Sequence, residues 1–97
     1  MEKKTNKYHL KLTSVAYADG SNEPVKQLEI NFDNHDEIFG IIERVRLKDP
    51  FGNPAQAEEF ALGLKLFSEV MLKNRKHPLF EELNESFPVF MKKLKSL

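Results

Sequence analysis

The longest stretch of regularly spaced apolar residues lies in the middle of the chain, from Ala55 to Lys76. Asn53 can cap a helix at this point, Pro54 suits its first position, and basic residues near Lys76 suit its negative end. We therefore predict a helix over this stretch. Apolar and small residues at three- and four-residue steps form a stripe that predicts its core side: Ala57, Phe60, Ala61, Leu64, Phe67, Ser68 and Met71.

A second strip of apolar residues lies off this stripe, at four-residue steps of its own: Leu62, Leu66 and Val70. A helix on the surface of one domain needs a single apolar face. The second strip therefore predicts either burial between layers or a contact with another molecule, and we take these three residues as a candidate interface. Charged residues separate the two strips: Glu58, Lys65, Glu69 and Lys73.

Two segments near the start of the chain alternate polar and apolar residues, as strands with one solvated face do. They are Lys7–Thr13 and Val25–Phe32, and the segment between them is rich in turn-forming residues. The pattern predicts an antiparallel β-hairpin. Because a two-stranded hairpin is marginal alone and has two open edges, we expect the helices to cover one face and a second copy to pair with an edge.

A first helix is predicted between the hairpin and the long helix. Asn34 suits its N-cap, and Glu37 follows at the capping-box position. The apolar face of Ile38, Ile41, Ile42 and Val45 supports it, and Pro50 limits it to about Leu47.

The chain beyond Pro78 also has helical periodicity, but Pro88 interrupts it because proline lacks an N–H group. We predict a break near residues 85–87, with helices over 79–85 and 88–95. A single kinked helix is the alternative. The order β-β-α-α-α, with three or four helices after the hairpin, indicates a single α+β domain over residues 1–97.

Composition excludes several kinds of protein. The chain has 97 residues and no Cys, which excludes disulfides, thiolate metal sites and cysteine catalysis. No apolar run approaches the roughly 20 residues that span a bilayer, and no secretory signal is visible, so we expect a cytoplasmic protein. The 15 basic and 15 acidic residues cancel, which argues against a nucleic-acid binder.

No catalytic, metal or cofactor-binding pattern is present in the sequence. The three histidines belong to different predicted elements, and no zinc-protease, EF-hand or phosphate-loop pattern occurs. The densest polar cluster is His35-Asp36-Glu37, which suits a helix N-terminus. An enzyme with an unrecognised site at this cluster stays open as a hypothesis, although the sequence favours a protein without catalytic activity.

The strongest basic run lies at the end of the long helix, where Lys73, Arg75 and His77 form a candidate anion-binding site. Such a run can attract phosphate or an acidic partner. Cations in the last turn also complement the helix dipole, which is the alternative explanation.

Several segments resemble a small family of uncharacterised bacterial proteins of about this length, a domain of unknown function. The similar segments are NHDEIF at 34–39, FALGLKLF at 60–67, EVMLKNR at 69–75, PLF at 78–80 and FMKKLK at 90–95. The resemblance implies a bacterial cytoplasmic single-domain protein, and it supplies no catalytic residues.

These observations favour a small homodimeric interaction or adaptor protein whose protein partner the sequence does not identify. The alternatives are a regulatory module that binds a small ligand or anion at Lys73, Arg75 and His77, and an enzyme.

Overall fold

The computed structural model describes residues 4–21 and 24–97. Two strands are followed by three α-helices, which confirms the predicted α+β class and the order β-β-α-α-α. The elements are β1 (Asn6–Thr13), β2 (Gln27–Asn34), α1 (Ile38–Lys48), α2 (Pro54–Lys73) and α3 (Glu81–Lys95), with a short 3₁₀ helix at Pro78–Phe80. Contacts divide the chain into a hairpin unit that ends at Asp36 and a helical unit, Glu37–Leu97.

β1 and β2 form a two-stranded antiparallel sheet. Its pairing runs from Asn6 opposite Asn34 to Thr13 opposite Gln27, so β2 lies two residues later than predicted. The difference arises at the loop, where the hydroxyl of Tyr17 donates to the carbonyl of Pro24 at 2.8 Å. That bond helps to hold the residues just before β2 in the loop.

The first helix begins later than predicted, because Asn34 is not its N-cap. Asn34 is the last residue of β2, and its side-chain oxygen accepts the N–H of Asp36 at 2.9 Å. Glu37 caps α1 instead, since its carboxylate accepts the N–H groups of Phe39 and Gly40. Strand pairing therefore holds Asn34 in β2, although the sequence alone favours this residue as the N-cap of α1.

The start of α2 is as predicted. The side chain of Asn53 accepts the N–H groups of Ala55 and Gln56, and Pro54 is the first helical residue. The helix ends at Lys73 rather than Lys76, because the Asn74 amide donates to the carbonyl of Val70 at 2.8 Å and closes the last turn.

α3 is continuous through Pro88, so the predicted break near residues 85–87 is wrong and a single helix forms. Pro88 cannot donate to the carbonyl of Asn84. Both residues are exposed, and water can replace the missing donor on that side. Packing of the Phe residues on the other side outweighs the lost bond.

The core of the helical unit centres on Val45, Ala57 and Ala61, against which Ile41, Ile42 and Phe60 pack. Ring contacts extend this core along α2 and α3, at centroid distances of 5.4–6.5 Å: Phe51–Phe60, Phe60–Phe90, Phe87–Phe90, Phe67–Phe87 and Phe67–Phe80.

The predicted core side of α2 is borne out at Ala57, Ala61, Ser68 and Met71, which are buried. The predicted position of Lys65 in a charged strip on the surface is wrong, because only 8% of the residue is exposed. Within the described residues, no helix has the length and apolar character required to cross a bilayer.

Candidate functional site

One face of the hairpin is a ladder of three apolar cross-strand pairs. The pairs are Tyr8 with Phe32, Leu10 with Ile30, and Leu12 with Leu28. We call these six residues the apolar ladder. Direct cross-strand pairs of this kind stabilise a sheet, and the rings of Tyr8 and Phe32 stack at 5.4 Å.

The half of the apolar ladder nearest the loop is exposed. Leu12 is 64% exposed, Leu28 53% and Ile30 38%, whereas the other three residues are half-buried. Contiguous exposed apolar surface of this kind marks an interaction site in soluble proteins.

The opposite face of the hairpin is polar and its groups are paired. Lys7 lies 3.5 Å from the carboxylate of Asp33, and the ring of His9 contacts Asn31 at 2.7 Å and Glu29 at 3.4 Å. Each of these groups is exposed, so each pair adds little stability. The contrast between the two faces indicates that the apolar ladder is the side suited to packing against another apolar surface.

The loop end of the hairpin is held by polar contacts. The N–H of Lys26 donates to the hydroxyl of Ser14 at 2.8 Å, and the N–H of Ser14 donates to the carbonyl of Lys26 at 2.9 Å. These bonds extend the pairing one step beyond Thr13 and Gln27. The exposed rung of Leu12 and Leu28 is therefore fixed on both sides rather than frayed.

The candidate interface on α2 is less exposed than the apolar ladder. Leu62 and Leu66 are half-buried, and Val70 is 54% exposed. The strip therefore offers one open side chain at its C-terminal end.

The predicted anion site is assembled only in part. A shallow cleft of about 380 Å³ is lined by Arg75 and His77 together with Lys76, Pro78, Glu81 and Asn84, and Lys73 is not among its lining residues. The Nδ1 atom of His77 accepts the N–H of Leu79 at 3.1 Å, so Nε2 is the ring atom left for a ligand.

Two features of this cleft were not visible in the sequence. The Asn84 amide donates to the carbonyl of Arg75 at 2.8 Å and fixes the backbone there. Glu81 brings a carboxylate to the same cleft, which lowers its attraction for anions. Only the fold brings α3 beside the end of α2, so spacing along the chain could not reveal either residue.

Local contacts engage the polar cluster His35-Asp36-Glu37. The Nε2 atom of His35 lies 3.5 Å from the Asp36 carboxylate, and Glu37 is engaged as the N-cap of α1. Among the residues that the structure describes, no three His, Asp or Glu side chains are grouped so that they could hold a metal ion.

Comparison with known proteins gives a family and a fold. Residues 6–96 match the family described as a domain of unknown function with a solved structure, DUF3861. A crystal structure of a protein of unknown function from Pectobacterium atrosepticum is 36% identical. The match covers 97% of this chain and 100% of that one, with a TM-score of 0.82. No protein of curated function matches.

Proposed function

We propose that this chain, which belongs to the DUF3861 family, a domain of unknown function, is a small protein-interaction module that works as a homodimer. The contact surface is the apolar ladder of the hairpin. The observation that supports this most is the exposure of Leu12, Leu28 and Ile30 among the six residues of the apolar ladder, none of which is charged. Lys26 lies on the same face, one step beyond Leu28 at the loop end.

A second copy suits this surface better than an unrelated partner. In a two-fold dimer the same patch meets itself, so the patch must be self-complementary. The apolar ladder has no charge that would repel its own copy, and two sheets can stack face to face at about 10 Å. Stacking would give each two-stranded hairpin a second layer, and a hairpin alone is only marginally stable.

The open edge of β1 is a poorer dimer contact. In an antiparallel pair of two β1 strands centred on His9, Lys7 would lie opposite Lys11, and like charges directly opposite each other destabilise a sheet. We therefore assign the dimer contact to the face of the hairpin rather than to this edge.

The test is the mass in solution, measured by light scattering at micromolar concentration. We expect the wild-type chain at twice 11.3 kDa and Leu12→Lys at the monomer mass. Because Leu12 is 64% exposed, the substitution should leave the fold, checked by circular dichroism, intact.

The matched control is Thr13→Lys, which puts the same charge one residue along the strand on the opposite face. It should remain dimeric. A monomeric wild-type protein would overturn the proposal, and so would a Leu12→Lys variant that still forms the dimer. In the second case, Val70→Lys would show whether the strip on α2 is the contact.

The module acts without catalysis in this proposal, and we place it in the cytoplasm. A chain without Cys depends on no oxidising compartment for its stability. Its partner beyond a second copy would be another protein, consistent with an adaptor role.

A second candidate function is anion binding at the cleft beside Arg75, which is supported by the three basic residues Arg75, Lys76 and His77 around it. Inorganic phosphate should raise the melting temperature of the wild-type chain, and Arg75→Gln should lose that effect. The control Lys73→Gln removes one positive charge outside the cleft, and phosphate should still raise the melting temperature of this variant. A melting temperature that phosphate leaves unchanged, or changes equally in Arg75→Gln, would exclude this function.

A further inference from the structure

The helical unit contains a second cleft, where α1, α2 and α3 meet. Its volume is about 130 Å³. The apolar side chains that line it are Ile41, Val45, Leu64, Met91 and Leu94, and the basic ones are Arg44, Lys48, Lys65 and Lys95. We call this feature the three-helix cleft.

The charge around the three-helix cleft has one sign. Four basic residues line it, and no carboxylate side chain is among its described lining residues. Lys48 is already engaged, since its ammonium donates to the carbonyl oxygens of Lys95 at 3.3 Å and Leu97 at 2.8 Å.

Lys65 is buried, so Arg44 and Lys95 are the two remaining charges that a ligand can reach from solvent. The Nε atom of Arg44 donates to the carbonyl of Gly40 at 3.3 Å, which leaves its terminal nitrogens. Within the described residues, neither Arg44 nor Lys95 forms an ion pair with a carboxylate. Both are exposed, so a ligand can reach them.

The size of the cleft limits the apolar part of a ligand. An engineered apolar cavity of about 150 Å³ in another protein holds benzene. A cleft of about 130 Å³ therefore has room for an apolar group of about five or six carbon atoms, by the same comparison.

We propose that the three-helix cleft binds a small organic carboxylate with an apolar group of about six carbons. The apolar group packs against Leu64, Met91 and Leu94, and the carboxylate faces Arg44 and Lys95. Arginine suits this ligand because its planar guanidinium can donate two parallel hydrogen bonds to one carboxylate. All residues of the site belong to the helical unit, so the proposal uses none of the residues of the proposed dimer contact.

Hexanoate is the probe, followed by NMR titration of the full chain. We expect its addition to shift the signals of Ile41, Leu64, Met91 and Leu94. Three compounds serve as controls. Hexanol has the same alkyl group without the charge, hexylamine carries the opposite charge, and acetate lacks the long alkyl group. Each should shift these signals far less at equal concentration.

Two double variants with equal charge change test the assignment. Because both side chains are exposed, each contributes modestly, and Arg44→Gln with Lys95→Gln should together weaken hexanoate binding about three- to tenfold. Lys92→Gln with Lys93→Gln changes two neighbouring lysines of α3 that do not line the cleft, and should bind as the wild type does.

Three results would overturn the proposal. One is a titration in which hexanoate shifts none of the four signals. Another is hexanol that binds as tightly as hexanoate, and the third is unchanged binding in the Arg44 and Lys95 variant. Because Leu12→Lys leaves the cleft intact, hexanoate should still bind to it, so a failed dimer and a failed ligand site are distinguishable.

Discussion

At the scale of single residues, the start of α1 shows how a polar side chain acquires its role. Asn34 and Glu37 can both cap a helix, and Asn is the stronger N-cap by preference. Pairing with Asn6 keeps Asn34 in β2, and its side chain then binds the N–H of Asp36. Glu37 is left to satisfy the first N–H groups of α1.

Loss of the Glu37 cap should therefore destabilise the protein. Glu37→Ala removes the acceptor for the N–H groups of Phe39 and Gly40, and we expect a loss of about 1 kcal/mol in the free energy of unfolding. Urea denaturation followed by circular dichroism measures it. Glu59→Ala, an exposed site in α2, is the control and should change stability by less than about 0.5 kcal/mol. Equal losses in the two variants would contradict the assignment of the cap.

Lys65 also has a role that its polarity does not predict. The helical period places it among charged residues, yet it is buried beside the three-helix cleft. Lysine can bury its hydrocarbon stem along apolar surface while its ammonium remains near polar groups. Periodicity assigns a residue to a face of the helix, but the neighbouring helices decide how much of that face is covered.

At the scale of elements, α3 keeps its helical form across a proline. Phe87 and Phe90, on either side of Pro88, contact each other and the rings of Phe67 and Phe60 on α2. These contacts hold both halves of α3 against the same helix. The missing hydrogen bond is confined to the exposed side.

Replacement of Pro88 by alanine should stabilise the protein. The alanine N–H can donate to the carbonyl of Asn84, and alanine is about 3 kcal/mol better than proline inside a helix. Local adjustment around Pro88 already recovers part of this difference. We therefore expect the free energy of unfolding, measured by urea denaturation, to rise by about 1–3 kcal/mol. A destabilised Pro88→Ala variant would show that α3 requires the irregularity at this point.

Most elements could be predicted from the sequence, since alternation identifies the hairpin and Asn53-Pro54 identifies the start of α2. The remaining features depend on contacts between distant residues. The Asn6–Asn34 pair moves the start of α1, and packing of Phe87 and Phe90 on α2 overrides the expected break at Pro88. Local patterns do not contain this information.

The surroundings of the candidate-site residues depend on the fold more than the elements themselves do. Arg75 and His77 do share a cleft, but Lys73 lies outside it, and Glu81 and Asn84 come from a different helix. The three-helix cleft combines residues that are separated by up to about fifty positions, so no local spacing could indicate it. Exposure of Leu12 and Leu28 is likewise a property of the folded chain.

At the scale of the whole molecule, the two units present different chemistry. The hairpin unit offers an exposed apolar ladder without charge, and the helical unit offers a small cleft with basic residues around it. The resemblance to a bacterial family of unknown function is confirmed by the match over residues 6–96 and by the Pectobacterium structure. Homodimer formation through the hairpin remains the central proposal for this family member.

An intermolecular NOE experiment tests this proposal most directly. In a sample that mixes isotope-labelled and unlabelled chains, only contacts between two copies give filtered NOEs. We predict such NOEs at the methyl groups of Leu12, Leu28 and Ile30. Their absence from these methyls, or NOEs confined to Leu62, Leu66 and Val70, would contradict the assignment of the hairpin face as the dimer contact.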